Sequence, residues 1–251
     1  MFNRNEMTDT CVELTIERAG VDCDILVVDD GSEENYDNVK VNVLRLEENS
    51  GFTNAVNKGI LWCADIYKYV HLLNNDTEPE FDFIKHLYEV MEADNGIGIA
   101  SSSRIHKNND EFLYIENYGL DLVRGHQLIS KMDLPSEVID VEWLPTCSSL
   151  IRMDMIREIG LFDKRFRNHC SDAEYCVRAR MWDWRVVLVP KSRVLHHWSQ
   201  TTMANHINPE DDQRKFIGKL AGLQYAELMK RMPLDCEKKT YGQLQFMTYS
   251  K

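Results

Sequence analysis

Tyr69-Val70-His71-Leu72-Leu73-Asn74-Asn75-Asp76 is the stretch that decides how the rest of this chain is read. Its first five residues form a short aliphatic and β-branched run, the pattern of a buried strand. The polar triplet therefore falls at the carboxyl end of that strand, where open α/β sheets bind ligands. One carboxylate at such a place can hold a divalent cation against a diphosphate. The same residues also make an ordinary turn, because Asn and Asp are favoured wherever a chain reverses. The surroundings must separate the two readings.

Upstream, Asp24-Ile25-Leu26-Val27-Val28 reads as a buried strand ending in Asp29-Asp30-Gly31-Ser32, and 41–46 as a second strand. Helices are expected over 8–19, over 53–64 with Ala55, Val56, Ile60 and Leu61 inward, and over 80–93. Downstream, 97–100, 112–115, 120–123 and 138–143 read as short strands between polar loops. Residues 152–159 and 172–181 read as helices and 185–189 as a strand closed by Pro190. A helix over 209–232 carries Phe216, Ile217, Leu220, Leu223, Leu228 and Met232 near one face. Strands alternating with helices predict an α/β sheet. Such nucleotide-binding domains normally open with a central strand. Here Met1-Phe2-Asn3-Arg4-Asn5 runs directly into a helix, so either the chain starts late or an unusual segment takes that place.

With 251 residues the chain can bury a full core as one large domain, or as a domain with an appendage. Its 29 Lys and Arg against 41 Asp and Glu give a net charge of -12, which argues against nonspecific binding to nucleic acid or to an anionic membrane. Any phosphate site must be local. Seven cysteines without a C-x-x-C pair suit reduced thiols in a cytosol and speak against structural zinc. There is no spanning apolar stretch or signal-peptide pattern, so a cytoplasmic protein is expected. Lys215, Lys219, Lys230 and Arg231 on the last helix leave peripheral membrane contact open.

Three strand ends carry polar chemistry: Asp29-Asp30-Gly31-Ser32, Asn74-Asn75-Asp76 and His196-His197. Asp30 is either a turn residue or an acceptor for a base or ribose. The loop Glu48-Asn49-Ser50-Gly51-Phe52-Thr53-Asn54 leads into a helix whose free N–H groups could face a phosphate. It lacks the G-x-G-x-x-G and Walker patterns, which disfavours dinucleotide binding and phosphate-loop hydrolysis. Ser171-Asp172-Ala173-Glu174 opens a helix, where an acid is ordinarily a cap. Asp172 held in this way could also take a proton from an acceptor hydroxyl. His196 and His197 are structural or metal-binding. One of them with Asp76 would give two protein ligands, leaving diphosphate oxygens and water to complete an octahedron around Mg²⁺ or Mn²⁺. Trp143, Trp182, Trp184 and Trp198 are candidate sugar platforms that read better as core residues.

In this order the motifs resemble those of a family 2 inverting glycosyltransferase of the GT-A fold, especially the rhamnosyltransferase-like members. The resemblance covers roughly residues 2 to 202. It is carried most strongly by Gly160-Leu161-Phe162-Asp163-Lys164-Arg165-Phe166, by Ser171-Asp172-Ala173-Glu174-Tyr175-Cys176-Val177-Arg178-Ala179-Arg180, by Val187-Leu188-Val189-Pro190 and by Val194-Leu195-His196-His197. It implies a mixed, mostly parallel sheet flanked by helices over 1–202, with a helical extension over 203–251. By resemblance Asp30 contacts the nucleobase, and Gly51 and Asn57 line the nucleotide pocket. Asn74-Asn75-Asp76 stands for an Asp-x-Asp motif, with Asp76 at the metal position and Asn74 and Asn75 beside the donor. Asp172 is implied as the base and His196, or His197, as the second metal ligand. Three departures stand out: Ser171 replaces a Glu before the base, the metal motif has one carboxylate, and the opening strand is absent.

The implied activity is metal-assisted transfer of a sugar from a nucleotide-sugar donor to a glycan, lipid-linked or protein hydroxyl, using Mn²⁺ or Mg²⁺. The alternative is a catalytically impaired domain that binds nucleotide sugars or serves as a scaffold. The last helix is expected to pack on its own domain, with a homodimer through it next.

Overall fold

The computed structural model describes residues 1–64, 66–108, 111–121, 126–197 and 210–222. The chain opens with α1 (Asn5–Arg18), β1 (Leu26–Asp29), β2 (Asn42–Arg45), α2 (Phe52–Cys63), β3 (Tyr69–Leu73), β4 (Thr77–Pro79) and α3 (Phe83–Ala93). Then come the long strand β5 (Ile97–Asn108), β6 (Glu111–Asp121), β7 (His126–Met132), β8 (Ile139–Asp140) and β9 (Ser148–Arg152). The remainder is α4 (Met153–Ile159), α5 (Ser171–Met181), β10 (Arg185–His196) and α6 (Glu210–Gly222).

The main sheet has the order β3-β9-β5-β10-β4, with β6 and β7 extending from β5 and β8 attached to β10. A separate small sheet joins β1 to β2. Among the described residues only β1 with β2 and β5 with β10 pair in parallel, and the other ladders are antiparallel. The expected mostly parallel sheet is thus corrected to a mixed one dominated by antiparallel pairs. The reason is β9, which returns between β3 and β5 and pairs antiparallel with both. Its first half, Ser148-Ser149, carries no hydrophobic signal, and it was not expected as a strand. Buried hydroxyls make it possible. Ser149 bonds Ser101, Ser148 bonds Ser102 at 2.6 Å, and Ser102 bonds Ser192 at 2.7 Å, so the serines satisfy one another across β9, β5 and β10.

The expected short strands at 97–100 and 112–115 are parts of longer ones, Leu120 and Asp121 of the expected 120–123 close β6 while 122–123 lie outside the described residues, and of 138–143 only Ile139–Asp140 pairs. β10 does not stop at Pro190. A register shift between Val189 and Arg193 lets the strand pass the proline and continue to His196.

Helices cover the sheet with the faces that periodicity predicts, except at single positions. In α3, Phe83, Ile84, Leu87 and Met91 are buried, and Leu87 and Met91 pack with Val187 and Val189 of β10. In α2 the buried face runs through Thr53, Asn57 and Ile60, so Leu61, expected inward, is 56% exposed. The last helix α6 lays Phe216 and Leu220 into the main core, with Phe216 edge-on to Phe166 at 6.5 Å, while Ile217 is half exposed. Leu223, Leu228 and Met232 lie outside the described residues, as do Lys230, Arg231 and Trp198. The described part of this helix therefore packs on its own domain. No helix among the described residues is long and apolar enough to cross a membrane. The six described cysteines are free thiols, and Cys236 lies outside the described residues.

Because Phe216 is fully buried in the shared core, Phe216→Ala is expected to lower stability by about 3–5 kcal/mol in equilibrium denaturation. A loss below ~1 kcal/mol would show that α6 does not belong to the folded unit.

Candidate functional site

β1 and β3 end, with β10, on one cavity of about 1210 Å³ whose lining includes Asp30, Gly51, Asp76, Arg104, Asp172 and His196. Strand ends converging on one cavity are what an α/β sheet offers a ligand.

At the end of β1 two aspartates do different work. Asp29 is buried and accepts the Ser32 N–H at 3.0 Å and hydroxyl at 2.6 Å, while Arg45 pairs with its other oxygen. Burial pushes its carboxyl up, but the bonds from Ser32, Tyr36 and Arg45 outweigh that and hold it below the usual range. Asp30 accepts the Ser50 N–H at 2.9 Å, the Ser50 hydroxyl at 2.6 Å and the Gly51 N–H at 2.9 Å. It stands in the cavity wall, but its oxygens are engaged in pinning the 49–51 loop to β1.

Gly51 is the residue before α2, with φ +89°, and a Cβ there would lie 2.5 Å from Arg167 Cγ. Only glycine fits. Asn57, expected at the pocket, is turned elsewhere. Its amide donates to the Phe162 carbonyl at 2.8 Å and accepts the Phe162 N–H at 3.0 Å, and it is not part of the cavity lining. It is a clamp between α2 and the loop before α5.

The triplet stands at the cavity as its position in sequence suggested. Asn75 donates to the Thr8 hydroxyl at 2.9 Å, and the Asn74 amide lies 3.4 Å from His196 Nε2. Asp76 Oδ1 is 3.0 Å from the same nitrogen. His197 instead faces Glu78 at 2.6 Å on the surface, which separates the two histidines. The other ring nitrogen of His196 is 3.3 Å from Arg104 Nη1. Arginine only donates, so in this arrangement Nδ1 accepts and Nε2 carries the hydrogen toward Asp76. Arg104 is itself paired with buried Glu116, which also meets His106 at 2.8 Å and the Tyr118 hydroxyl at 2.9 Å.

No group of three or more His, Cys, Asp or Glu side chains among the described residues could hold a metal. A two-ligand site is what remains. The adjacent carboxylate and imidazole are suitable donors for Mn²⁺ or Mg²⁺, with the other positions left to ligand oxygens. Ligation through Nε2 requires the ring hydrogen on Nδ1, which turns Arg104 away.

Asp172 lies in the first turn of α5, half-buried, and accepts the Ala173 N–H at 2.8 Å and the Gln127 amide at 3.3 Å. Burial lifts its carboxyl to about 6, against the lowering effect of those bonds. Neighbouring Glu174 is taken up by Arg178 and Lys219. The loop between α4 and α5 is held from an unexpected side. Asp212 of α6 accepts the N–H groups of Arg167, Asn168 and His169, at 3.1, 3.0 and 3.0 Å. Gln127, Arg104 and Asp212 gave no sequence signal, since each reaches the site only through strand pairing or helix docking. None of Trp143, Trp182 and Trp184 lines the cavity, and Trp143 is in the core.

Two comparisons with known proteins bear on this geometry. The family model described as Glycosyl transferase family 2 matches residues 1–160. It spans Asp30, Gly51, Asn57 and the triplet but ends before Asp172 and His196. No curated protein matches the chain. Among solved structures, the crystal structure of GalNAc-T7 with UDP, GalNAc and Mn²⁺ aligns with 87% of this chain at 17% identity and a TM-score of 0.66. That likeness is one of fold, GT-A, and the chain spans 45% of the matched one.

Gly51→Ala forces a left-handed backbone and a clash with Arg167, so it is expected to cost about 1–3 kcal/mol in denaturation. An unchanged midpoint would show that the 49–51 loop is not fixed as described.

Proposed function

We propose, from the premise that this chain belongs to glycosyl transferase family 2, that it moves a sugar from a nucleoside-diphosphate donor to an acceptor hydroxyl with inversion. The observation that carries the reading is the placement of Asp172, lifted to about 6, in the same cavity as Asp76 and His196. A carboxylate with that affinity for protons is ionised at neutral pH yet more basic than an ordinary aspartate. Asp172 takes the proton from the acceptor hydroxyl as its oxygen bonds to the anomeric carbon. The bond from that carbon to the diphosphate oxygen breaks, and the nucleoside diphosphate leaves with the electron pair. One displacement from the face opposite the leaving group inverts the carbon.

Asp76 and His196 would hold Mn²⁺ or Mg²⁺, and such a cation offsets the charge that develops on a departing diphosphate. The UDP, GalNAc and Mn²⁺ found with GalNAc-T7 support a nucleotide-sugar donor and a divalent ion. Asn74 and Asn75 stand beside that position, and Gly51, held by Asp30, forms the donor-side rim. Acceptors of the glycan, lipid-linked or protein type all present a suitable hydroxyl. Rhamnosyl donors belong in the screen with UDP-sugars, because the motif order is rhamnosyltransferase-like. We assign 1–202 to the catalytic domain and 203–251 to the extension, with Asp212 of the extension bracing the loop before Asp172. A second reading, donor binding without turnover, is favoured by the hydrogen shared between His196 and Asp76 and by the single carboxylate.

Asp172→Asn is expected to lower kcat by about 10²–10⁴ with donor affinity retained. A protonated Asp172 cannot accept a proton, so wild-type activity should rise with pH through about 6, and this limb should vanish in the variant. Released nucleoside diphosphate measures both, and an active Asp172→Asn enzyme would remove the base assignment. EDTA should abolish release and Mn²⁺ restore it. Release that is indifferent to both would take Asp76 and His196 out of the metal role, and binding without release in any condition would favour the second reading.

A further inference from the structure

Buried hydroxyls across the sheet are paired with one another, as in Ser101 with Ser149 and Ser102 with Ser148 and Ser192. Ser171 and Thr146 depart from that pattern. They are 2% and 7% exposed, and both line the central cavity. Among the described residues neither hydroxyl has a hydrogen-bond partner. Ser103 and Thr53 also carry unpaired hydroxyls, but those oxygens are sealed off and both residues stand outside the cavity lining. The hydroxyls of Ser171 and Thr146 open on the cavity instead. A polar group left unpaired away from bulk water carries a cost that a ligand can remove.

The two come from opposite sides of the reaction centre. Ser171 is the residue before Asp172 at the start of α5. Thr146 precedes Cys147, whose carbonyl accepts the Asn74 N–H at 2.9 Å, so it stands by the polar triplet after β3. Cys147 ties the two sides together. Its thiol, pushed up to about 12 chiefly by burial, also feels the charges of Asp76 and Asp172. A ligand hydroxyl delivered to Asp172 therefore enters space that Ser171 and Thr146 line.

The chemistry of this wall discriminates among acceptors. A hydroxyl both donates and accepts, so Ser171 and Thr146 are suited to other hydroxyls. Asp172, ionised at neutral pH, disfavours an anionic group beside it, and the guanidinium of Arg104 is already engaged by Glu116. A lone alcohol, on a peptide serine or a lipid, offers one hydroxyl to Asp172 and nothing to the other two. A sugar ring carries hydroxyls on adjacent carbons and can serve all three.

We infer that Ser171 and Thr146 form an acceptor subsite for a neutral sugar, holding ring hydroxyls that flank the one from which Asp172 takes the proton. This rests on the transferase reading above and names the acceptor within it. Ser171 and Thr146 determine specificity, and the proton transfer stays with Asp172.

Saturation-transfer NMR on the whole chain with UDP and Mg²⁺ tests it, with methyl hexopyranosides and their monodeoxy forms as probes and calorimetry for UDP. At least one methyl glycoside is expected to bind, and Ser171→Ala and Thr146→Val should each weaken it by about fivefold or more. A monodeoxy form lacking a flanking hydroxyl should lose about as much on the wild type, and nothing further on the matching variant. Neither substitution removes a hydrogen bond within the protein, so both melting temperatures should stay within about 2 °C of wild type. A fall of about 5 °C or more would assign the hydroxyls to the protein's own stability and overturn the subsite. Unchanged glycoside affinity in either variant would do the same, as would binding of a Ser-Thr peptide in preference to every glycoside. UDP binding without glycoside binding overturns the subsite alone, whereas binding of neither removes the transferase reading itself. Octyl and methyl glycosides both support the subsite when they bind. Tighter octyl binding assigns the sugar to a lipid-linked acceptor, and equal binding to a free glycan.

Discussion

The position of β10 between β4 and β5 is the constraint on which the site depends. Its antiparallel register with β4 sets His196 opposite Thr77, which brings the preceding Asp76 within 3.0 Å of the imidazole. Its parallel register with β5 runs to Leu195 opposite Ile105, which leaves Arg104 beside the same ring. A slip of one residue would turn every one of these side chains to the other face. The register is secured by burial, because Val186, Val187, Leu188, Val189 and Val194 are all buried on one or the other side of the sheet.

Acidic as the chain is, its site is built from charges whose neighbours differ. Asp29 is held ionised by hydrogen bonds and Arg45, and Glu116 by His106 and Arg104 although burial alone would raise it. Among the described residues Asp172 has no cation of its own in contact, and its bonds come from a backbone N–H and a neutral amide. Desolvation therefore wins there and loses at the other two.

Much of the fold was legible where local signals were strong. The helices α1, α2, α3 and α4 follow amphipathic spacing, α5 is buried on nearly every side, and β1, β2 and β3 follow short aliphatic runs. β9 was not legible, because its serines become strand residues only when hydroxyls of β5 and β10 complete their bonds. Pro190 read as a terminator because a register shift that accommodates it has no sequence mark. At the site, Asp30, Gly51, the triplet, Asp172 and His196 do gather on one cavity. Asn57 does not, since a helix position fixes direction only after the 160s loop has docked on it. Arg104, Gln127 and Asp212 could not be foreseen for the same reason: their partners are 92, 45 and 44 residues away.

By itself the sequence determined which residues end strands and which open helices, because backbone propensity and the spacing of apolar residues act over a few positions. That was enough to place the polar triplet after β3 and Asp172 at the start of α5. The tertiary structure alone decided what those groups face. Whether Asp76 meets His196 or His197 and whether Asp30 binds a loop or is left free both depend on pairing and burial across long separations. Those are set when the whole core closes, and no local pattern carries them.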